Sequence, residues 1–216
     1  MPTPFALADA AALIAVPGPD DDKYSRGVLG LVTGSPRYPG AAVLGVEAAW
    51  RTGVGMVRYL GAAEPSTLVL QRRPETVLAA GRVQAWVLGS GQDDALEPET
   101  RAQLDGALAD EVPTVLDGGA LERVGDARGP VLLTPHAGEL ARVLGVEVDE
   151  VRGDREGALA EAVRRTGAVV LLKGHATLVA GPGVDPLVVR EAPPWLAVAG
   201  AGDVLAGVLG ALLATD

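Results

Sequence analysis

Short apolar runs recur along this chain, and five of them end on residues that can bend the backbone or carry chemistry. Residues 28–33 lead into Gly34 and Ser35, and residues 85–88 into Gly89-Ser90-Gly91. Residues 114–116 lead into Asp117, residues 131–134 into Pro135 and His136, and residues 168–172 into Lys173 and Gly174. Runs this short and this rich in Val and Leu read as strands buried on both faces, which is the pattern of a parallel sheet. A further strand is expected at 56–60. Segments of helical period stand between the strands, at 41–51, 65–72, 98–108, 138–144 and 155–165, with a shorter candidate at 6–15. Alternation of this kind predicts βαβ units in a three-layer α/β fold with helices on both faces. Two runs, 177–180 and 186–190, flank Gly181-Pro182-Gly183 and predict a hairpin that forms an antiparallel edge.

The length of 216 residues suits a single domain spanning 1–216. Aromatic residues make up only 3% of the chain, so Val, Leu and Ala must build the core. A net charge of −10 argues against a broad nucleic-acid footprint. It leaves a nucleotide possible, because local backbone amides can hold phosphate on an acidic protein. With no cysteine, neither disulfides nor thiolate metal sites can form. No apolar run reaches the roughly 18 residues that span a bilayer. The first 16 residues lack the basic start of a secretory leader, so no membrane partner and a cytoplasmic location are expected.

In open parallel sheets, ligands bind beyond the carboxyl ends of the strands. Turn residues are needed at any strand end, but five such ends carrying Lys, His and Asp point to one site. The densest motif is Gly200-Ala201-Gly202-Asp203, followed by an apolar helix expected to start at Asp203. Glycines let backbone amides face a ligand, and a helix N-terminus attracts phosphate. Asp203 is a candidate base for a substrate hydroxyl, and capping the helix is its bland alternative. Lys173 ends a fully apolar strand, where its charge needs a partner, and phosphate would serve. In Thr134-Pro135-His136 the ring can donate to or accept from a polar substrate, although a lone His is more often structural. A dinucleotide fingerprint does not fit, since Pro193-Pro194-Trp195 precedes the glycines, and no Gly-Lys-Ser/Thr of a P-loop is present.

With these residues in place, the chain resembles the ADP-dependent NAD(P)H-hydrate dehydratases of the ribokinase-like superfamily. The matching segments are Gly34-Ser35 with Tyr38-Pro39-Gly40-Ala41-Ala42, Arg51-Thr52-Gly53-Val54-Gly55, Gly89-Ser90-Gly91 and Val115-Leu116-Asp117. They continue through Thr134-Pro135-His136 with Glu139, Leu172-Lys173-Gly174 and Gly200-Ala201-Gly202-Asp203. The resemblance implies a ribokinase-like fold and repair of hydrated nicotinamide cofactor. ADP phosphorylates the hydroxyl of (6S)-hydrated NADH or NADPH, and loss of phosphate then restores the ring and leaves AMP. Ala41, Gly91 and His136 would contact the hydrated cofactor. Lys173, Gly174, His175, Ala176 and Thr177, with Gly200, Ala201 and Gly202, would line the nucleotide side. Asp203 would touch the substrate as the base, and Mg²⁺ would accompany the ADP, with no protein residue assigned to the metal. A homo-oligomer and a separate epimerase acting on the same metabolite are implied partners. Two positions depart from the family pattern: Gly119 stands where a second Asp is usual, and Val198 where a Thr is common.

Two other readings are compatible with parts of the pattern. A small-molecule kinase acting on a thiazole or pyrimidine alcohol, or on pyridoxal, would share the Gly200–Asp203 loop but not the Thr-Pro-His turn. A non-catalytic nucleotide-binding module would bind without turnover. The final segment, 203–214, is apolar on nearly every face, so one face needs cover from another subunit or from C-terminal helices beyond Asp216.

Overall fold

The computed structural model describes residues 2–93 and 96–215. The apolar runs pair as a nine-stranded sheet, and their lengths follow the sequence pattern closely. In chain order the strands are β1 (Thr3–Pro4), β2 (Val28–Val32), β3 (Met56–Tyr59), β4 (Ala85–Leu88) and β5 (Thr114–Leu116). They continue with β6 (Val131–Leu133), β7 (Val169–Leu172), β8 (Thr177–Gly181) and β9 (Val184–Val189). Their order across the sheet is β1-β9-β8-β7-β6-β5-β4-β2-β3. Pairing is parallel from β3 through β7, while β8 runs antiparallel to both β7 and β9.

Two expectations change here. The hairpin is not the sheet edge, because β1 lies outside β9 and pairs with it in parallel, Thr3 opposite Leu187. The N-terminal helix is shorter than 6–15: α1 spans Leu7–Ala11 and buries no residue, so no packing extends it.

The helices form two layers. On one face lie α2 (Pro39–Thr52), α3 (Ala63–Arg72) and α8 (Ala201–Thr215), packed over Leu29, Leu31, Val57, Val87 and Val115. On the other lie α4 (Pro98–Ala109), α5 (Ala137–Leu144), α6 (Val148–Gly153) and α7 (Arg155–Thr166), over Leu88, Leu116, Leu133, Val170 and Leu172. Alternate residues of β2 divide between the faces, Leu29 and Leu31 to one and Val28 and Val32 to the other. That is why the strand is apolar throughout.

Pro39 starts α2 at a position where a missing amide costs nothing, and Gly53, at φ +103°, ends it. Helix α8 crosses α2 at small residues. A Cβ on Gly207 would run into the Gly45 carbonyl, so the two backbones touch. Ala206, Gly207, Gly210, Ala211 and Ala214 are buried on that side of α8, whereas Val204 stays exposed. The smallest side chains thus face the sheet and α2, and the bulkier ones remain in part at the surface.

Candidate functional site

The strand ends that the sequence singled out converge on one edge of the sheet, and at its centre is Asp117. This carboxylate follows β5, is buried at 5% exposure and accepts from three side chains. Ser90 Oγ donates to Oδ2 at 2.9 Å, Thr134 Oγ1 to Oδ1 at 2.8 Å, and Lys173 Nζ to Oδ1 at 2.9 Å. The donors come from the ends of β4, β6 and β7, so one acid ties together the strands on either side of its own. Its backbone fits closely too: Gly89, at φ +95°, leaves no room for a Cβ against the Asp117 carbonyl.

Lys173 needed a partner at the end of an apolar strand, and the structure gives it carboxylates where the sequence suggested phosphate. Besides Asp117, Glu139 Oε2 lies 3.6 Å from its Nζ. Glu139 is also the third residue of α5 and accepts the His136 amide at 2.7 Å. His136 in return caps α5, its Nδ1 accepting the Glu139 amide at 3.1 Å. This reciprocal pairing is a capping box with His in the capping position. With Nδ1 accepting, the ring proton is assigned to Nε2, which stands 3.4 Å from Glu139 Oε1. The imidazole is exposed, so the structural role leaves it open to a ligand.

The turn after β7 is held from behind. Arg155, on α7, donates to the carbonyls of Leu172, Lys173 and Ala176, the last at 2.9 Å. A Cβ on Gly174 would overlap that guanidinium. His175 is exposed, and Ala176 and Thr177 are half-buried, with Thr177 Oγ1 donating to the Gly174 carbonyl at 3.2 Å.

Helix α8 begins two residues earlier than expected. Gly200, at φ +89°, accepts the first intrahelical bond, from the Val204 amide at 3.1 Å, which makes Gly200 the cap and Asp203 the third helical residue. The capping role for Asp203 is therefore excluded. Among the described residues, the amides of Gly202 and Asp203 have no hydrogen-bond acceptor, and the Asp203 carboxylate has no donor. Two free amides at the positive end of a fifteen-residue helix make a mouth suited to an anion. Lys173 lies beside it, with a Cβ on Gly202 falling 3.4 Å from Nζ. Burial raises the Asp203 carboxyl above its usual value of 3.8, the Asp117 charge raises it further, and Lys173 opposes both.

The substrate-side candidates adjoin this mouth through α2. Ala41 and Gly91 are in tight contact: Gly91 has φ +64°, and a Cβ there would overlap Ala41 Cβ. One turn along α2, Gly45 faces the Asp203 carbonyl at 3.6 Å from where a Cβ would stand. Gly34 closes the group, its amide donating to the Ser90 carbonyl at 2.7 Å. Ala41, Gly91, His136, Lys173, Gly200, Ala201, Gly202 and Asp203 are thus linked through shared neighbours, while His175, Ala176 and Thr177 stand further along the Lys173 turn. Sequence reading passed over Ser90, Arg155 and Glu139 as site residues, and saw Asp117 as a strand end and part of a matching family segment, with no role of its own. Gly119 has its own explanation: a Cβ there would lie 2.7 Å from the Gln92 carbonyl, so the two turns pack too closely for the family's usual Asp.

No group of three or more His, Cys, Asp or Glu side chains among the described residues is arranged to hold a metal ion. Mg²⁺ commonly binds through substrate phosphates, waters and one or two carboxylates, and a phosphate mouth flanked by Asp203 fits that manner of binding.

Comparison with known proteins agrees with this geometry. The family model described as NAD(P)H-hydrate dehydratase matches residues 29–216. A bifunctional NAD(P)H-hydrate repair enzyme of Mycobacterium tuberculosis is 43% identical over 98% of this chain and 46% of its own length. An ADP-dependent (S)-NAD(P)H-hydrate dehydratase of Neisseria meningitidis is 36% identical, over 90% of this chain and 72% of its own. The chain spans less than half the length of the mycobacterial relatives it matches. Among solved structures, an ADP/ATP-dependent NAD(P)H-hydrate dehydratase from Bacillus subtilis, co-crystallised with ATP and Mg²⁺, superposes with a TM-score of 0.86 at 27% identity. That match covers 100% of this chain and 86% of the other. A hydroxyethylthiazole kinase from Pyrococcus horikoshii, at 18% identity and a TM-score of 0.60 over 88% of this chain and 72% of its own, shares the fold. Fold, glycine-rich helix mouth, Thr-Pro-His turn and sequence similarity coincide, and the chain belongs to the NAD(P)H-hydrate dehydratase family.

Proposed function

We propose that residues 1–216 act as one ribokinase-like unit that dehydrates (6S)-hydrated NADH or NADPH at the expense of ADP. The observation that carries this reading is the pairing of a half-buried, donor-free Asp203 carboxylate with two free amides at the mouth of α8. A base and an anion cradle side by side suit transfer of a phosphoryl group onto a hydroxyl. Names of relatives add the substrate: the Neisseria protein is called an ADP-dependent (S)-NAD(P)H-hydrate dehydratase.

In this mechanism Asp203 takes the proton of the ring hydroxyl as its oxygen attacks the outer phosphorus of ADP. The bond from that phosphorus to the bridging oxygen breaks, and AMP departs. The amides of Gly202 and Asp203 and the Lys173 ammonium balance charge on the transferring group. Phosphorylation converts hydroxide, a poor leaving group, into phosphate. The adjacent ring nitrogen then supplies the electron pair that expels phosphate, and loss of a proton from the neighbouring carbon restores the double bond. Mg²⁺, carried by the phosphates of ADP, would add charge neutralisation beside Asp203. Ala41 and Gly91 leave a wall with no side chain larger than a methyl group for the cofactor, and the exposed His136 offers its Nε2–H. The turn Lys173–Thr177 lines the nucleotide side.

ADP and NADH or NADPH, whose damaged form is the other reactant, are central metabolites, which makes the cytoplasm the proposed location. The bifunctional relatives suggest an epimerase that supplies the S form, on a separate chain or domain, and a homo-oligomeric assembly is part of the proposal.

The test is to incubate the protein with hydrated NADH, ADP and Mg²⁺ and follow absorbance of restored dihydronicotinamide, with free phosphate and AMP as co-products. A stable phosphorylated small molecule would point instead to a kinase of the same fold, and binding without turnover to a nucleotide-binding module.

A further inference from the structure

Asp117 has no part in the chemistry just described, yet it is the most heavily coordinated acid on the site edge. Three side-chain donors converge on its two oxygens, at 2.8–2.9 Å. Ser90 and Thr134 would be enough to satisfy the carboxylate in a buried turn. The third donor is the Lys173 ammonium, which crosses from the end of β7 past β6 to reach it, 56 positions away in sequence. A lysine at the end of an apolar strand would otherwise extend toward solvent. Held here, the Lys173 side chain is only 21% exposed and stands beside Gly202, at the mouth of α8.

We propose that Asp117 is a positioning residue, which holds the Lys173 ammonium beside the Gly202–Asp203 amides and sets the charge that the Asp203 carboxylate experiences. This rests on the reading of Asp203 as base. The charged groups that face the pair are few. Asp203 meets Asp117 and Lys173, Lys173 also meets Glu139, and Glu139 meets His136. Asp117 raises the proton affinity of Asp203 in two ways: by its own charge, and by engaging the ammonium that would lower it further if released. Loss of the Asp117 charge frees the lysine to approach Asp203, so both consequences of the loss push Asp203 the same way, toward a lower pKa. A base of lower proton affinity works at lower pH but accepts the hydroxyl proton less readily.

The test uses the full chain and two readouts: the pH profile of kcat/KM for dehydration, and titration of the Asp203 carboxyl by ¹³C NMR. Asp117→Asn is expected to move the acidic limb and the Asp203 titration down by about one pH unit, with kcat lowered roughly tenfold or more. Lys173→Gln is expected to move the Asp203 titration upward, and this variant serves if Asp117→Asn fails to fold. Ser90→Ala and Thr134→Val keep the charge and remove one donor each, so they should lower stability and leave the limb in place. A folded Asp117→Asn with the wild-type titration overturns the proposal, as does an unmoved Asp203 in Lys173→Gln. An equal limb shift in Ser90→Ala would also overturn it, by showing that packing rather than charge is responsible. If the wild type shows no dehydratase activity, the functional reading fails, whereas the NMR titrations still decide the coupling.

Discussion

At the scale of single residues, Asp203 gives the clearest prediction. Its carboxylate is half-buried without a donor, so the ionised form weakens the fold. A raised carboxyl pKa means that the folded state holds its proton more tightly than the unfolded chain. Stability should therefore fall as pH rises from the usual aspartate value of 3.8 through the folded value. Asp203→Asn should then melt above the wild type at pH 7, and the difference should vanish in scans below about pH 4. The same substitution should slow dehydration by roughly 10²–10⁴-fold. Near-normal turnover in this variant would remove Asp203 from the chemistry. Asp203, Lys173 and His136 were legible in the sequence because each interrupts or ends an apolar run, where a polar side chain needs a reason. Asp117 was legible as a strand end and within a matching family segment, but without a role. Its partners Thr134, Ser90 and Lys173 lie 17, 27 and 56 positions away, a spacing that only the finished sheet brings together.

At the scale of elements, the longer strands and helices followed from apolar pattern alone, and the shorter ones did not. The two-residue β1 and the six-residue α6 are set by tertiary contacts, since segments so short carry no period of their own. The start of α8 was placed at Asp203 because an acid looks like a cap, whereas the glycine before the turn does that work. Helix packing supplies two predictions. Glu47 on α2 pairs with Arg51, and with Arg72 and Arg73 at the end of α3. Those arginines hold its carboxyl at about 2, against an ordinary 4.5. The lowered value stabilises the fold above pH 4.5, and the gain is lost as pH falls toward 2. Glu47→Gln should cost about 0.5–1 kcal/mol in urea titrations at pH 7, since solvent screens the exposed arginines, and most of that should disappear near pH 3. At the α2–α8 crossing, Gly207→Val would press its side chain into the Gly45 carbonyl. Overpacking of this kind costs about 1–3 kcal/mol, and denaturant midpoints would register it.

At the scale of the whole molecule, ligands should report on the site without chemistry. ADP with Mg²⁺, binding only the native state, should raise the melting temperature with concentration, by about 2.7 kcal/mol of added stability at a hundred times Kd. Lys173→Ala should flatten that response, and a wild type indifferent to ADP would argue against a nucleotide site at α8.

The backbone contact between α2 and α8 has a kinetic consequence. Where side chains separate two helices, rotamer changes let one helix loosen while the other stays in place. At Gly45 and Gly207 no side chain intervenes, so neither helix can open far without breaking the contact for both. Their amides should then exchange with deuterium through one shared opening, with matched protection factors, and residues near Ala41 should slow when a ligand occupies the mouth at Gly202.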